Sequence, residues 1–264
     1  MPLTSPHTPL AVNEPWRGKS GLGRYADLVM ETDAVVGRVL DELDKHKLAD
    51  NTLVIFTSDN GCAPYIGVPD MEAKGHFPSG PFRGYKADAW DGGHHVPFLV
   101  RLPGVVKPGS TCGKLICLTD LMATCADLQG VKLPDNAGED SASILPLLRG
   151  QDRTVHDAVV HHSATGRFAI RQGRWKLLLC PGSGGWGVPT DAAAAQRNLP
   201  PVQLYDMQAD VGERANLQDK HPEVVQRLTA LLDKFVADGR STPGAPQKND
   251  GPINVHKQGK AAQK

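Results

Sequence analysis

Apolar residues along this chain follow two rhythms, and the change between them falls near residue 151. Within residues 22–47, Tyr25, Leu28, Val29, Thr32, Val36, Val39, Leu40 and Leu43 recur every three or four positions, with charged residues between them. That spacing puts them on one stripe and predicts a long amphipathic helix over 22–47. Leu53, Val54, Ile55 and Phe56 then form a short unbroken apolar run. Such a run reads as a strand buried on both faces, and a helix followed by it predicts an α/β unit on a parallel sheet. Residues 61–96 are rich in Gly and Pro without a period, which predicts a long functional loop. A second strand is predicted over 96–100 and a short helix over 119–128, stopped by Gly130. Residues 143–148 close this part.

Beyond residue 151 the pattern shortens. Residues 158–160, 167–171, 175–179 and 203–206 read as strands, with Gln172-Gly173 as a tight turn. A final helix over 222–236 carries Val225, Leu228, Leu231, Leu232 and Phe235 on one face. These elements predict a small antiparallel sheet packed on a helix, so an α+β unit at 151–239 follows an α/β unit at 1–150. From Arg240 onward the chain is Pro, Gly, Gln and Lys, which predicts a disordered tail over 240–264. At the other end, residues 1–9 read as a strand end and its loop, with Pro6 and Pro9 holding His7 in extended backbone. No internal repeat is present.

Composition narrows the functions open to the chain. With 264 residues it makes one large domain or two smaller ones, and 40% apolar content is enough for a core. The 29 basic and 29 acidic residues cancel, so no global field recruits nucleic acid or a membrane, and an anionic ligand needs a local cationic pocket. No apolar run has the length of a membrane span. The opening residues have neither the basic start nor the apolar stretch of a signal peptide. Cys62, Cys112, Cys117, Cys125 and Cys180 are odd in number and lack C-x-x-C spacing. Mostly buried free thiols are expected rather than a zinc site or disulfide framework, with one bridge still open.

The candidate chemistry sits mainly in the first part. Asp59 and Asn60, in Ser58-Asp59-Asn60-Gly61, are adjacent oxygen donors just past the predicted strand, where open α/β sheets bind ligands. Calcium takes six to eight oxygens, so two donors supply only part of a shell, and Asp-Asn-Gly is also an ordinary turn sequence. Lys86 follows Arg83-Gly84-Tyr85 in the Gly-rich loop, where a point charge can hold an oxyanion or simply face solvent. His161-His162-Ser163 ends a strand, so His162 is either a rim contact for substrate or an exposed side chain. Arg174-Trp175-Lys176 reads as structural, with Trp175 packing the small sheet.

Taken in order, these segments resemble the second half of type I, formylglycine-dependent sulfatases of the alkaline-phosphatase-like superfamily. The order is Pro6-His7-Thr8-Pro9, helix, apolar strand, Ser58-Asp59-Asn60-Gly61, Arg83-Gly84-Tyr85-Lys86, Gly92-Gly93 and then Pro97-Phe98-Leu99-Val100-Arg101. It continues through Leu118-Thr119-Asp120, Ser143-Ile144-Leu145-Pro146 and Gln203-Leu204-Tyr205-Asp206 to Gly212-Glu213 and Asn216-Leu217, over about nine tenths of the chain. The resemblance implies part of the sulfatase α/β sheet flanked by helices, followed by a C-terminal α+β subdomain. It implies hydrolysis of sulfate esters of carbohydrates or aryl alcohols, with calcium and a formylglycine. Asp59 and Asn60 would be half of the calcium site, His7 would contact the ester and protonate the leaving oxygen, and Lys86 would neutralise the sulfate. Such chemistry needs a nucleophile, a cation beside the transferring group and an acid for the alcohol.

Departures from the family pattern matter as much. Asp91 stands where the family commonly has Glu before Gly-Gly, and His95 where it commonly has Arg. No C-x-P-S-R-like motif exists here. Cys62-Ala63-Pro64-Tyr65 begins like one but lacks the Ser and Arg and lies too close to Asp59, so no nucleophile is assigned. The family's first-half calcium ligands, Lys and His also have no counterpart. The chain is therefore expected to turn over little and bind calcium weakly by itself. It reads as a truncated or mis-started sulfatase, as half of a split enzyme whose partner carries the formylglycine, or as a non-catalytic module for sulfated glycans. Phosphate or phosphonate ester hydrolysis, found in sister enzymes, is a further alternative. Complete relatives are usually exported, periplasmic or lysosomal.

Overall fold

The computed structural model describes residues 1–257. Helix α1 spans Arg24–Lys45, inside the predicted range. Asp27 in its first turn fixes the entry. Its carboxylate accepts the N–H groups of Gly18 and Ser20 at 2.8 and 2.9 Å and the Ser20 hydroxyl at 2.6 Å. Segment 5–9 is turned rather than extended, because proline fixes φ but leaves the neighbouring torsions free. The His7 N–H donates to the Thr4 carbonyl at 3.0 Å.

Strand β1 (Val54–Thr57) pairs with β2 (Phe98–Arg101), Val54 opposite Arg101 and Thr57 opposite Phe98. The pair is antiparallel, which corrects the expected parallel sheet. An unbroken apolar run reports burial and not direction. Direction follows from the connection, which contains only α2 (Val68–Ala73) and α3 (Asp91–His94). The long loop between the two strands is irregular, with no helix long enough to carry the chain back across a sheet face as in a βαβ unit, and it returns the chain antiparallel beside β1. Burial on both faces is not met either, since Phe56 is 38% and Leu99 59% exposed.

Helix α4 (Asp120–Leu128) stops at Gly130, whose φ is +68°, and α5 (Leu145–Leu148) follows. Buried Asp120 staples this region, accepting from Cys117 N–H at 2.7 Å, Ala142 N–H at 2.9 Å and His156 Nε2 at 2.7 Å.

Strands β3 (Val159–His162), β4 (Phe168–Gln172), β5 (Trp175–Leu178) and β6 (Gln203–Asp206) form an antiparallel sheet in sequence order. Helix α6 (Asp191–Gln196), capped by Thr190, precedes β6, and α7 (Pro222–Asp238) follows it. The pleat separates two cores. Ile170, Leu177 and Leu204 face α7 and pack with Val224, Leu228 and Leu232. On the other face Ala169, Leu178 and Tyr205 pack against Ala89 and Trp90 of the Gly-rich loop. The two predicted units thus share a core through that loop.

Residues 240–257, expected as part of a disordered tail, fold back on the domain. The Arg240 guanidinium donates to the carbonyls of Asp135 and Ala245 at 3.1 and 2.9 Å, and Val255 joins the α7 core. One buried Arg satisfying several carbonyls supplies the anchor that composition did not indicate. Residues 258–264 lie outside the described residues. All five cysteines are free, as expected, but only Cys180 is buried.

Candidate active site

The site is organised around residues 83–93, and glycines decide its shape. A Cβ on Gly61 would fall on the Gly92 carbonyl, and one on Gly92 would fall on the Gly84 carbonyl. A Cβ on Gly93 would stand 2.7 Å from the carbonyl oxygens of both Asp88 and Tyr85. Only glycine allows the strand-end loop and the 83–93 loop to pack backbone against backbone. Two hydrogen bonds then tie them: Gly61 N–H to Gly93 O at 3.1 Å, and Lys86 N–H to Cys62 O at 2.8 Å. Ala87, next to Lys86, is held at φ +80°, a conformation that a residue with a side chain keeps only where its surroundings enforce it.

Asp88 provides that enforcement. It is fully buried and accepts from Tyr85 N–H at 3.0 Å and Gly187 N–H at 2.7 Å. Burial pushes its carboxyl above the ordinary value despite these bonds. The Ala89 N–H donates to Ser183 O at 2.7 Å, and Ala164 N–H to Ala87 O at 3.0 Å. Loops from three parts of the chain therefore converge on Ala87 and Asp88.

A buried ion cluster anchors the far end of this loop. Lys176, fully buried in β5, lies 2.6 Å from Asp91 Oδ1 and 2.8 Å from Glu213 Oε1. That Glu213 oxygen has the ion pair but no well-directed hydrogen bond. Glu213 Oε2 accepts the Asp91 N–H at 2.6 Å. Arg171 lies 3.6 Å and His95 3.3 Å from Asp91 Oδ2. Burial, the largest single influence, would raise the Asp91 carboxyl, but the Lys176 charge, the hydrogen bonds from His95 and Lys176 and the Arg171 charge together outweigh it and hold it far below the usual range. For Glu213, which gives up all contact with water, burial wins and the shift is upward. Asp91 and His95, the two departures from the family pattern, thus sit in one intact ion cluster. Arg83 adds a second anchor, stacked 3.6 Å over Trp90 and donating to Glu213 O at 2.8 Å.

The sequence-selected residues fall as follows. Asp59 is exposed and Asn60 half-buried at the end of β1, within two residues of the Gly61 and Cys62 clamp. Asn60 Nδ2 donates to Gly61 O at 2.9 Å, which leaves its Oδ1 as an oxygen donor. Asp59 and Asn60 fit a calcium ion in kind but not in number. Among the described residues no group of three or more His, Cys, Asp or Glu is placed to hold a metal. Lys86 is half-buried, and no ion pair among the described residues neutralises it. His7 is exposed and donates Nδ1–H to Thr8 O at 2.7 Å, leaving Nε2 free. The Ser5 hydroxyl of its segment meets Thr32 of α1 at 3.0 Å, but its bonds do not reach the Lys86 loop. His162 is exposed at the end of β3, one residue before the turn that binds Ala87.

Sequence reasoning missed Asp88 and His94; it read Lys176 as structural but not the buried ion cluster it forms. His94 packs against His161, with ring centroids 4.2 Å apart and planes tilted by 49°, and its buried Nε2 has no hydrogen-bond partner among the described residues. Burial, then the Lys176 charge, lowers its pKa to about 4. Asp88 and Lys176 carry no periodic signal, and the only hint was a charged residue inside an apolar segment.

Fold and site together define part of an α/β domain whose Gly-rich loop is clamped beside the end of β1. The chain belongs to the sulfatase family and matches the C-terminal part of its members. The sulfatase family profile matches residues 1–131. A Bacteroides thetaiotaomicron N-acetylgalactosamine-6-O-sulfatase is 36% identical over 237 residues, covering 86% of this chain and 44% of the relative. A rat steryl-sulfatase is 33% identical, covering 90% of this chain and 44% of its own. A solved 6S-sulfatase structure from glycosaminoglycan metabolism in B. thetaiotaomicron superposes with a TM-score of 0.76 at 32% identity, over 88% of this chain and 48% of that one. The chain spans about half the length of the relatives it matches.

Proposed function

We propose that this chain supplies the substrate-side half of a calcium-dependent sulfate-ester hydrolase acting on a sulfated carbohydrate. One observation supports the reading: the backbone bonds Gly61–Gly93 and Lys86–Cys62 tie the loop that carries Lys86 to the segment that follows Asp59 and Asn60. Lys86 offsets negative charge on the sulfate as it transfers. His7, protonated at its free Nε2, donates to the leaving alcohol oxygen. Asp59 and the Asn60 carbonyl oxygen contribute to a calcium shell, and calcium when bound supplies further positive charge beside the ester. His162 touches the rest of the substrate at the rim. The 36% identity to an enzyme named for 6-sulfated N-acetylgalactosamine supports carbohydrate over aryl substrates.

The test is sulfate release from a 6-sulfated N-acetylgalactosamine oligosaccharide. It compares the chain alone with the chain co-expressed with the first half of the B. thetaiotaomicron relative. We expect little turnover by the chain alone. In the pair we expect turnover that a chelator abolishes and Lys86→Ala lowers about a hundredfold or more. His162→Ala in the pair is expected to raise KM more than it lowers kcat. Robust calcium-dependent turnover by the purified chain alone would overturn the half-site reading. An assembled pair that prefers a phosphate ester would overturn sulfate as the substrate.

A further inference from the structure

Two large aromatic side chains stand in solvent beside this site. Tyr65 is 55% and Trp186 50% exposed, and their rings lie 6.1 Å apart between centroids at 44° to one another. Val188, two residues beyond Trp186, is 83% exposed. The loop that carries Trp186 is moulded onto the floor of the site. A Cβ on Gly185 would fall on the Ala87 carbonyl, and one on Gly187 on the Asp88 carboxylate. The glycines on either side of Trp186 thus press the backbone down on Ala87 and Asp88. The indole between them is half exposed to water. On the other side, Tyr65 stands three residues after Cys62, whose carbonyl accepts the Lys86 N–H. Both rings therefore sit on loops bonded directly to the segment that presents Lys86.

We propose that Tyr65 and Trp186 form an aromatic platform for the apolar face of a pyranose ring, setting the ester of that sugar, or of its neighbour, toward Lys86. The inference rests on the sulfate-ester reading and names the part of the substrate that reading leaves unbound. A pyranose has faces of C–H bonds and a rim of hydroxyls. An aromatic face takes the former and leaves the latter hydrated, so it holds a sugar without stripping water from every hydroxyl. Two tilted rings give a broader, bent surface, and the Tyr65 hydroxyl adds a polar group at its edge. Large aromatic side chains with few torsions give up little entropy when a ligand settles on them.

Calorimetric titration of the full chain with an unsulfated N-acetylgalactosamine oligosaccharide and its 6-sulfated counterpart tests this. The platform contacts the ring and not the ester, so the unsulfated sugar binds weakly. Trp186→Ala and Tyr65→Ala each weaken both ligands about tenfold, whereas Trp186→Phe keeps most of the affinity. Lys86→Ala removes only the preference for the sulfated ligand. Absence of unsulfated binding, or affinities unchanged in both alanine variants, overturns the platform. A sulfated-ligand preference that is missing, or that survives Lys86→Ala, instead overturns the sulfate-ester reading while the platform stands. Sedimentation provides a further check: a dimer dissolved by Trp186→Ala with sugar affinity unchanged assigns the patch to a second copy of the chain and overturns the proposal. Both side chains are half exposed, so an unchanged thermal transition in the alanine variants separates lost binding from lost fold.

Discussion

Replacing Lys176 with Met should destabilise this protein far more than a single lost ion pair at the surface would. Lys176 is fully buried, 2.6 Å from Asp91 and 2.8 Å from Glu213. At an effective dielectric of about 20, each pair is worth about 6 kcal/mol of Coulomb attraction. Removing three ions from water costs several kcal/mol each, so the intact cluster stands near break-even. The variant keeps most of the cost and loses the main gain, because two buried carboxylates are left close together with only Arg171 and half-exposed His95 still beside Asp91. The expected loss is about 3–5 kcal/mol at pH 7, read as a lower urea midpoint with an unchanged slope. The pH dependence carries the sharper test. In the native protein the depressed Asp91 pKa contributes stability that is present above the ordinary carboxylate value of about 3.9 and is lost as pH falls through the lower folded value. Without Lys176, burial raises the pKa of both carboxylates, so the sign reverses. The variant is then worst at neutral pH and recovers as acid neutralises the pair. Lys176→Met with Asp91→Asn should recover part of the loss, as coupled neighbours do. A cost below about 1 kcal/mol at pH 7, or one that stays constant down to pH about 4.5, would refute the reasoning.

Three further outcomes are expected. Gly92→Ala drives a methyl group into the Gly84 carbonyl and should cost about 2 kcal/mol or more, while Gly113→Ala, with open space around it, should be near neutral. Equal thermal transitions for the two would contradict the backbone-clamp account. His94, with its pKa lowered to about 4 by burial, should stay neutral between pH 5 and 8 in an NMR titration. Its contribution to stability is then present above the unfolded value of about 6.5 and lost as pH falls from there toward the folded value; an inflection near the unfolded value would exclude this. Leu228→Ala empties a fully buried position between α7 and the sheet and should cost about 2–5 kcal/mol in chemical denaturation, with a loss under 1 kcal/mol arguing against that core.

The amino-acid sequence determined the elements whose signal is local. Helix α7 begins at Pro222 and β6 covers Gln203–Asp206, both as read from the sequence. The motifs were legible for the same reason. Asp59, Asn60 and Lys86 lie within short segments whose order along the chain is informative without any contact. Local pattern said nothing of α2 and α3, which are too short to show a period, nor of the antiparallel sense of β1 and β2.

Only the tertiary structure decided what holds the site together. Asp91 and Lys176 stand 85 residues apart, and Asp88 and Gly187 stand 99 apart, yet each pair is in direct contact. A charged residue in a strand reads as a solvated face until a second element is laid over it, and Lys176 became a buried ion when the 83–93 loop covered β5. The glycines show the same limit. Gly61, Gly92 and Gly93 looked like loop residues, but their role comes from backbone crossing backbone at a distance that a Cβ would forbid. Hydrophobic period and turn chemistry act over a few residues and can be read along the chain. Burial of charge and close approach depend on which distant segments meet, and that is settled only when the whole chain packs.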